Sequence, residues 1–442
     1  MKQLLLVSLV FLTTPLFAQE EANAICQEFI GLLKKKKFEQ AHTYFGDEIK
    51  NGFPLETFEQ MWGQILYKFG KFKSYEYNCT ETEEGNYIVY TTCTFKETTF
   101  DIKCITDSGN KIVSFTMDNV HTCGEESLYR IPPYEDAELM EMTTVEFESD
   151  HFKIPGTITT PTENDKNVVV IFVHGSGPNN RDEEFGPNKM FRDLSVGLAM
   201  RGYSSFRYDK RTYLTDQFKP EDMADFTIHS EVLDDVEAAV SFLQNHEKTK
   251  GKTIYLLGHS LGGMMVPWAA IDNEAVKGII MMAGPAGPFE ELLPYQYEYL
   301  FGLDGNIDKN EQAEIDRVRK QVHTVQNNLR AETLASELPL NIPAQYWLSL
   351  KDYDQLTLAM NYSGRILVMN GERDYQVPMT EFNKWKDALG MSENVTYRSF
   401  TKLNHFFFEG EGTPNPKEYE NICNVPDYVI YAITDWLDAS HK

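Results

Sequence analysis

The sequence predicts a mostly parallel α/β sheet covered by helices, preceded by a small α+β domain. From about residue 143, strand-like and helical patterns alternate, which is typical of a parallel sheet packed between helices. The run Val168–Val173 is apolar throughout, as expected for a strand that is buried on both faces. Before residue 125 the order differs, because helical patterns come first and alternating strand patterns follow. Two domains of different architecture are therefore expected.

The first domain is expected over residues 19–124. Apolar residues recur at helical spacing over 24–45 and again over Leu55–Phe69. Alternating, β-branched and aromatic runs then predict four strands, at 72–80, 87–95, 98–106 and 111–119. Two helices followed by a meander of strands indicate a small α+β unit.

A linker and a larger domain follow. Residues 125–142 are acidic and contain two consecutive prolines, which favours a linker, and the larger domain is expected over 143–442. Within it, about residues 285–363 interrupt the alternation with a helix-rich stretch that is also rich in tyrosine. An insertion between two sheet strands is where a helical cap over a pocket would lie. Extra helical packing is the alternative interpretation.

The first eighteen residues have the order of a cleavable signal peptide. Lys2 precedes the apolar run 4–12, and the small residue Ala18 precedes Gln19, where we expect cleavage. The apolar run is too short to span a bilayer comfortably. We therefore expect a periplasmic or secreted protein that has no membrane attachment after signal cleavage. An uncleaved anchor is the alternative.

The charge balance disfavours two classes of partner. The chain has 41 basic and 67 acidic residues, a formal net charge of −26. A field of this sign repels nucleic acid and anionic membranes, so neither is expected as a partner. Nothing in the sequence specifies an oligomeric state.

The six cysteines are unevenly placed, with five before residue 125 and Cys423 near the C-terminus. In an oxidising compartment they could form disulfides, and fifteen pairings are possible for six cysteines. Cys93 and Cys104 lie symmetrically about Thr98-Thr99 and would face each other across a hairpin. A metal site is not expected, because the cysteines and histidines lack metal-ligand spacing.

The strongest local motif is GHSLG at residues 258–262. It follows an apolar strand pattern and precedes a helical one, so Ser260 would lie on a tight strand-to-helix turn at the carboxyl edge of the sheet. The two glycines are needed because a Cβ there would clash across the turn. The motif therefore predicts Ser260 as a nucleophile.

A serine nucleophile needs a base, and the base needs an orienting carboxylate. In this type of sheet the chain order is serine, acid, histidine. Asp374 follows the strand pattern at 365–370, and His405 follows the pattern at 395–400. Both would therefore lie at the same sheet edge as Ser260, where open α/β sheets place their ligands. The weaker rivals are Glu372 for the acid and His259, His323 and His441 for the base.

Acyl transfer also needs hydrogen-bond donors for the developing oxyanion. The backbone N–H of Leu261, directly after the serine, is one expected donor. The loop HGSGP at 174–178 follows an early strand, and it supplies the Ser176 N–H as the second. His174 is interpreted as a residue that structures this loop. Arg181-Asp182 is interpreted as a local pair that holds the loop, with substrate contact as the alternative.

Five segments together resemble a known family: HGSGPNNRDE (174–183), FRYDKR (206–211), GHSLGG (258–263), NGERDYQVP (370–378) and NHFF (404–407). They resemble the α/β-hydrolase esterases that are often labelled serine aminopeptidase S33-like, and in particular a bacterial subgroup with an N-terminal domain of the DUF3887 type. The resemblance spans roughly residues 25–438. It implies an α/β-hydrolase fold, carboxylesterase activity on short acyl esters, and the triad Ser260, Asp374 and His405. The cysteines of the first domain depart from the family pattern.

The expected function is therefore hydrolysis of a small-molecule ester through an acyl-enzyme, without any metal or organic cofactor. A serine aminopeptidase is the first alternative, and it would need acidic residues to bind the substrate amine. The cap offers four such residues: Glu290, Glu291, Glu298 and Asp304. An acyltransferase would share every motif. A non-catalytic binding protein on a hydrolase scaffold is the hypothesis of a different class.

Overall fold

The computed structural model describes residues 14–439, without residues 47, 48, 51, 52, 84, 85, 97, 108, 119, 122–127, 215, 216, 220, 221, 223, 224 and 352. The chain divides into two compact units, Met1–Glu126 and Ser127–Lys442. Most of the signal peptide expected at 1–18 lies outside the described residues. None of the described helices combines the length and the apolar character that are needed to cross a bilayer.

The first unit consists of helices followed by one antiparallel sheet. Its helices are α1 (Thr14–Lys34), α2 (Phe38–His42) and α3 (Leu55–Phe69). Its strands pair in chain order, and they are β1 (Ser74–Glu83), β2 (Asn86–Thr94), β3 (Thr99–Thr106) and β4 (Ile112–Asp118). This is the small α+β domain that the sequence predicts.

The helical stretch expected over 24–45 is two helices instead of one. Lys36 adopts a left-handed backbone conformation with φ of 56°, which ends the helical path after α1, and α2 begins at Phe38. The apolar face of α1 packs on the sheet, and the resulting core is rich in aromatic residues. Its largest fully buried side chains are Trp62, Phe29, Phe45, Phe58 and Phe95.

The pairing expected between Cys93 and Cys104 is wrong, because both thiols are free. The β2–β3 ladder ends with Thr94 opposite Thr99, so its centre lies about two residues before the expected one. Cys93 therefore faces Phe100, and Cys104 faces Val89. Cys26 and Cys423 are also free, whereas Cys79 is disulfide-bonded.

The second unit is built on an eight-stranded sheet in the order β14-β13-β12-β11-β7-β10-β6-β5. The six strands from β14 to β10 are parallel, and β6 and β5 add an antiparallel edge. The strands are β5 (Met140–Ser149), β6 (Phe152–Pro161), β7 (Val168–Val173), β10 (Ser204–Tyr208), β11 (Thr253–His259), β12 (Val276–Met282), β13 (Arg365–Gly371) and β14 (Val395–Phe400). A separate short ribbon is formed by β8 (Glu184–Phe185) and β9 (Asn188–Lys189).

Helices cover both faces of this sheet, because the central strands are apolar on both sides. One face packs on α4 (Met190–Ala199) and the C-terminal helix Asp427–Asp438. The other face packs on α5 (Asp234–Asn245), α6 (Leu261–Ile271) and the helix Met379–Leu389. A π-helical turn, His229–Leu233, leads into α5. The predicted α/β-hydrolase sheet is confirmed.

The stretch expected as a cap, 285–363, forms four helices between β12 and β13. They are α7 (Phe289–Phe301), α8 (Lys309–Asn328), α9 (Ala344–Leu350) and α10 (Gln355–Asn361). The chain then continues with β13, α11 (Met379–Leu389), β14 and α12 (Asp427–Asp438). Trp347 of α9 is buried, and its ring stacks on Phe289 of α7 at a centroid distance of 6.1 Å.

The described part of the stretch expected as a linker, from residue 128 onward, lies on the second unit. Arg192 of α4 forms an ion pair with Glu135, with 2.8 Å between Nη1 and Oε2. The Tyr134 hydroxyl donates a hydrogen bond to the carbonyl of Val425. The Tyr129 hydroxyl donates to the buried carboxylate of Asp193, also on α4. These bonds fix the chain against α4 before it enters β5.

Candidate active site

Ser260 lies between β11 and α6 in a strained backbone conformation, with φ of 52° and ψ of −118°. Non-glycine residues rarely adopt a positive φ, and such strain is concentrated at functional sites. A Cβ on Gly258 would lie 2.2 Å from the Gly262 carbonyl oxygen, and one on Gly262 would lie 2.1 Å from that of Val173. Only glycine fits at either position, so the GHSLG pattern is a steric requirement of this turn.

Asp374 and His405 meet at the same sheet edge, as the sequence predicts from their place after β13 and β14. His405 Nδ1 lies 2.7 Å from Asp374 Oδ2. The other carboxylate oxygen, Oδ1, accepts hydrogen bonds from the backbone N–H groups of Gln376 and Val377 at 2.8 and 2.9 Å. Both side chains are buried. The carboxylate is therefore fixed through both oxygens, and it orients the imidazole with Nε2 free to face a reacting group.

Within the described residues, the side chain of His405 is hydrogen-bonded to Asp374, and no hydrogen bond joins it to Ser260. Ser260 is partly exposed, and its Oγ makes no cap to α6. The ring of His259, the residue before it, lies 4.7 Å from that of His405. In an unliganded site, catalytic hydrogen bonds are often long and form only when substrate is bound.

The two expected oxyanion donors lie beside the serine. A Cβ built on Gly175 would be 3.3 Å from Ser260 Cβ, so the loop 174–178 runs against the nucleophile. In the described part of the chain, neither the Ser176 N–H nor the Leu261 N–H donates a hydrogen bond to protein. Ser176 is exposed, which leaves its N–H accessible. Leu261, by contrast, is fully buried, so of the two residues only Ser176 lies at the surface.

The rival residues have other partners or positions. Glu372 is exposed and accepts a hydrogen bond from Ser399 at its Oε1. His323 is exposed on the cap helix α8, and His441 lies outside the described residues. His174 is buried, and its Nε2 lies 3.1 Å from the Asn180 carbonyl. Burial lowers the pKa of His174 to about 4, so this imidazole stays neutral near pH 7.

The expected local pairing of Arg181 with Asp182 is not what holds the loop. Arg181 instead forms a two-pronged ion pair with Asp209, in which Nη2 lies 2.7 Å from Oδ2 and Nε lies 3.0 Å from Oδ1. Asp182 pairs with the buried Arg207 of β10. Both partners come from β10 or its end, so the two pairs tie the chain just after the loop 174–178 to a neighbouring strand.

A buried ion pair behind the site was not expected from the sequence. Glu183 Oε1 lies 3.1 Å from His259 Nδ1 and accepts the Gly175 N–H at 2.8 Å. On its other side, His259 Nε2 lies 2.9 Å from the His405 carbonyl. Burial alone would raise the pKa of Glu183 and lower that of His259. Their mutual attraction and hydrogen bonds reverse both effects, so the pKa of Glu183 is lowered and that of His259 raised.

A second unexpected pair lies on the opposite side of Gly175. Lys210 is buried, and its Nζ donates to the Gly175 carbonyl at 2.7 Å and to Glu231 Oε1 at 2.5 Å. The only sequence signal for these residues is their polarity within segments that otherwise pack in the core. Such a signal does not name the partner, because Lys210 and Glu231 lie on different elements.

The cap contacts the loop that carries the acid. Tyr299 of α7 stacks on Tyr375 with ring centroids 5.0 Å apart. Gln296, also on α7, donates to the Gln376 carbonyl at 2.9 Å. The loop that carries Asp374 is therefore covered by the insertion. Among the described residues, no group of His, Cys, Asp or Glu could hold a metal ion.

A strained serine elbow and a carboxylate–imidazole pair at the carboxyl edge of a parallel sheet define the α/β-hydrolase class. Comparison with protein families agrees. Residues 168–411 match the alpha/beta hydrolase fold family, and residues 26–115 match the protein of unknown function family DUF3887.

The chain is also similar to individual proteins. It is 30% identical over 415 residues to esterase EstD of Thermotoga maritima, covering 92% of this chain and 93% of that protein. The chain therefore belongs to the α/β-hydrolase family of esterases, with a DUF3887 domain at its N-terminus. Among solved structures, Est1E from Butyrivibrio proteoclasticus is 16% identical, covers 67% of this chain and 99% of its own, and has a TM-score of 0.43. The Pyrococcus furiosus esterase Pf2001 is 12% identical, covers 70% and 96%, and has a TM-score of 0.44.

Proposed function

We propose that the protein is a serine carboxylesterase that hydrolyses short-chain acyl esters through an acyl-enzyme. Ser260 is the nucleophile, His405 the general base and Asp374 the residue that orients it. The backbone N–H groups of Ser176 and Leu261 stabilise the oxyanion. Metal and organic cofactors have no role in the proposed reaction, and the substrate is a small-molecule ester.

The reaction proceeds in two acyl-transfer steps. His405 Nε2 takes the Ser260 proton as Oγ attacks the ester carbonyl, and the resulting imidazolium donates this proton to the departing alcohol. Water then attacks the acyl-enzyme with His405 again as the base, which releases the acid and restores the serine. In both steps the negative charge on the carbonyl oxygen is received by the two backbone N–H groups.

The observation that carries the proposal is the hydrogen bond of 2.7 Å between Asp374 and His405, next to a serine with strained backbone. A buried carboxylate that fixes one ring nitrogen of a histidine sets the tautomer in which the other nitrogen is a base. This arrangement has no evident purpose in a binding protein, so it favours an active hydrolase over a non-catalytic scaffold.

The acidic cap residues give no support to an aminopeptidase. Glu298 forms an ion pair with Arg319, with 2.7 Å between Oε1 and Nη2. Glu291 accepts a hydrogen bond from Gln326, and Asp304 accepts the N–H of Asn306. Burial raises the pKa of Glu290, which weakens it as an anion for binding an amine. These residues are held by local partners rather than directed together into an amine site.

The test is hydrolysis of a p-nitrophenyl ester series from acetate to palmitate by the wild type and by Ser260→Ala. We expect the highest kcat/KM for the shortest chains, and loss of that activity in the variant. Ser241→Ala, at an exposed position on α5, is the matched control and should keep wild-type activity. A wild type that cleaves none of these esters but cleaves aminoacyl amides would instead support the aminopeptidase.

We further propose export through a signal peptide that is cleaved after Ala18. The first residue of α1 that is described as buried is Ala22, which lies after the proposed cleavage site. Expression of the full chain in a bacterium with a periplasm should give a product whose intact mass corresponds to Gln19 as the first residue. A cytoplasmic product that retains residues 1–18 would contradict export.

A further inference from the structure

Lys210 is a buried cation hydrogen-bonded to one particular peptide group. Its Nζ lies 2.7 Å from the carbonyl oxygen of Gly175, just beyond the end of β10. The side chain of Lys210 is only 3% exposed, so water does not screen this contact. Lysine is rarely buried to this degree unless its charge is paired. The carbonyl that receives the bond belongs to the loop beside Ser260.

The peptide group involved contains the proposed oxyanion donor. The Gly175 carbonyl and the Ser176 N–H are the two ends of one planar amide. A cation hydrogen-bonded to the carbonyl oxygen draws electron density away from the nitrogen and makes the N–H more positive. Hydrogen bonds in such a chain polarise one another, and this effect is strengthened by a low local dielectric. The Ser176 N–H therefore becomes a stronger donor to an anionic oxygen.

Hydrogen bonds hold both peptide groups that flank the Cα of Gly175. The Gly175 N–H donates to Glu183, and the Gly175 carbonyl accepts from Lys210. Asn179 Nδ2 is a second donor to that carbonyl, at 3.3 Å. Gly175 has no side chain that could hold the loop, so these bonds determine where the Ser176 N–H points.

The counter-ion of Lys210 is connected to the cap. Glu231 lies in the π-helical turn His229–Leu233, and its Oε1 is 2.5 Å from Lys210 Nζ. Tyr346, on the cap helix α9, is a neighbour of the same carboxylate. Burial and this neighbouring carboxylate raise the pKa of Tyr346 well above its ordinary value.

We propose that Lys210 is a positioning residue for ester hydrolysis: it aligns and polarises the Gly175–Ser176 peptide so that the Ser176 N–H stabilises the oxyanion. Glu231 is the buried counter-ion that pairs with the ammonium. This inference rests on the proposed function, because it requires an oxyanion to form at Ser260. A purely structural role, in which Lys210 only neutralises Glu231, is the competing explanation.

The test removes the charge without leaving a buried carboxylate unpaired. We would compare the double variants Lys210→Met/Glu231→Gln and Lys210→Gln/Glu231→Gln with the single variant Glu231→Gln, which keeps the lysine side chain. The second double variant keeps an uncharged hydrogen-bond donor at position 210. The measurements are made on the double variant that folds as the wild type does. Thermal unfolding establishes which variants are folded.

Two measurements separate positioning from structure. The first is kcat and KM for p-nitrophenyl acetate, where we expect kcat to fall by about tenfold to a hundredfold with KM nearly unchanged, because a donor to the transition state is weakened. The second is the infrared band of the ¹³C-labelled ester carbonyl in the acyl-enzyme. This band should move to higher frequency when the hydrogen bond from Ser176 weakens, and it should stay at the wild-type position in Ser241→Ala, at an exposed position on α5.

The outcomes are distinguishable from those of the proposed function. A folded double variant with wild-type kcat and an unshifted carbonyl band would overturn the role of Lys210, while loss of activity in Ser260→Ala would still support the serine esterase. If Ser260→Ala kept wild-type activity, both the acyl-enzyme and this inference would fail.

Discussion

Glu183 and His259 form a buried ion pair that joins the loop 174–178 to the loop of His405. Glu183 Oε1 accepts the Gly175 N–H, and His259 Nε2 lies 2.9 Å from the His405 carbonyl. The pKa of Glu183 is lowered and that of His259 is raised, and both shifts favour the ionised form of the pair. Gly175 and His405 are therefore held at a fixed separation through a single pair of side chains.

Glu183→Gln should weaken both the fold and the reaction. Loss of one charge of a buried pair typically costs about 3 kcal/mol or more, because the other charge is left unpaired. Small displacements of positioned groups can reduce kcat by up to about a hundredfold. Urea unfolding and kcat for a short ester measure the two effects. The double variant Glu183→Gln/His259→Gln, with no charge left unpaired, should recover part of the stability but not the activity.

The same pair makes stability fall on the alkaline side. The pKa of His259 is raised above its ordinary value of 6.5, so its contribution is fully present below pH 6.5 and is lost as pH rises through the folded-state pKa. The free energy of unfolding should therefore decline above pH 6.5. Urea unfolding of the wild type and of Glu183→Gln/His259→Gln at successive pH values measures this decline. The decline should be absent in the double variant. An equal decline in the double variant would assign the effect to other groups.

His174 should produce the opposite trend on the acid side. Burial lowers its pKa from 6.5 to about 4, so below pH 6.5 the unfolded chain takes up a proton that the folded protein does not. Stability should fall between pH 6.5 and pH 4, by about 3 kcal/mol from this group. Urea titrations of the wild type and His174→Gln at both pH values measure the difference. The variant should lose less stability over this interval.

Asp374→Asn should abolish most of the activity while the fold persists. The asparagine can still accept the N–H groups of Gln376 and Val377, but it cannot hold the His405 tautomer that leaves Nε2 as a base. Loss of this orientation typically lowers kcat by about 10⁴. Steady-state kinetics on p-nitrophenyl acetate give kcat, and thermal unfolding reports the fold. Glu372→Gln, at the exposed rival acid, is the control and should remain active.

The main sheet and the positions of the chemistry-bearing residues are predictable because they depend on local pattern. Strand β7 is apolar at every position, and strands β13 and β14 each end just before a polar loop. Parallel strands end at a common edge, so the sequence alone is enough to expect that Asp374 and His405 meet. The chain order of serine, acid and histidine then leaves few alternatives.

The pairs around Gly175 are not predictable from such patterns. Glu183 and His259 are 76 residues apart, and Lys210 meets Glu231 only after β10 and the turn before α5 are packed together. A polar residue in a motif indicates that it has a partner, but not which one. The expected pairing of Cys93 with Cys104 was wrong for a related reason. A shift of the turn by two residues changes every cross-strand pair in the hairpin.

Gly262→Ala tests how closely the elbow is packed against the sheet. A Cβ at this position would lie 2.1 Å from the carbonyl oxygen of Val173, and the contact is with backbone, which cannot move aside as a side chain can. We expect the free energy of unfolding to fall by about 3 kcal/mol, which is at the upper end for overpacking. We also expect kcat to fall, because the adjacent Leu261 N–H is displaced. Gly302→Ala is the matched control, since nothing lies within 4 Å of a Cβ there. Chemical unfolding gives the stability of both variants, and ester kinetics give their kcat. Wild-type stability and activity in Gly262→Ala would mean that the turn is less tightly packed than its geometry indicates.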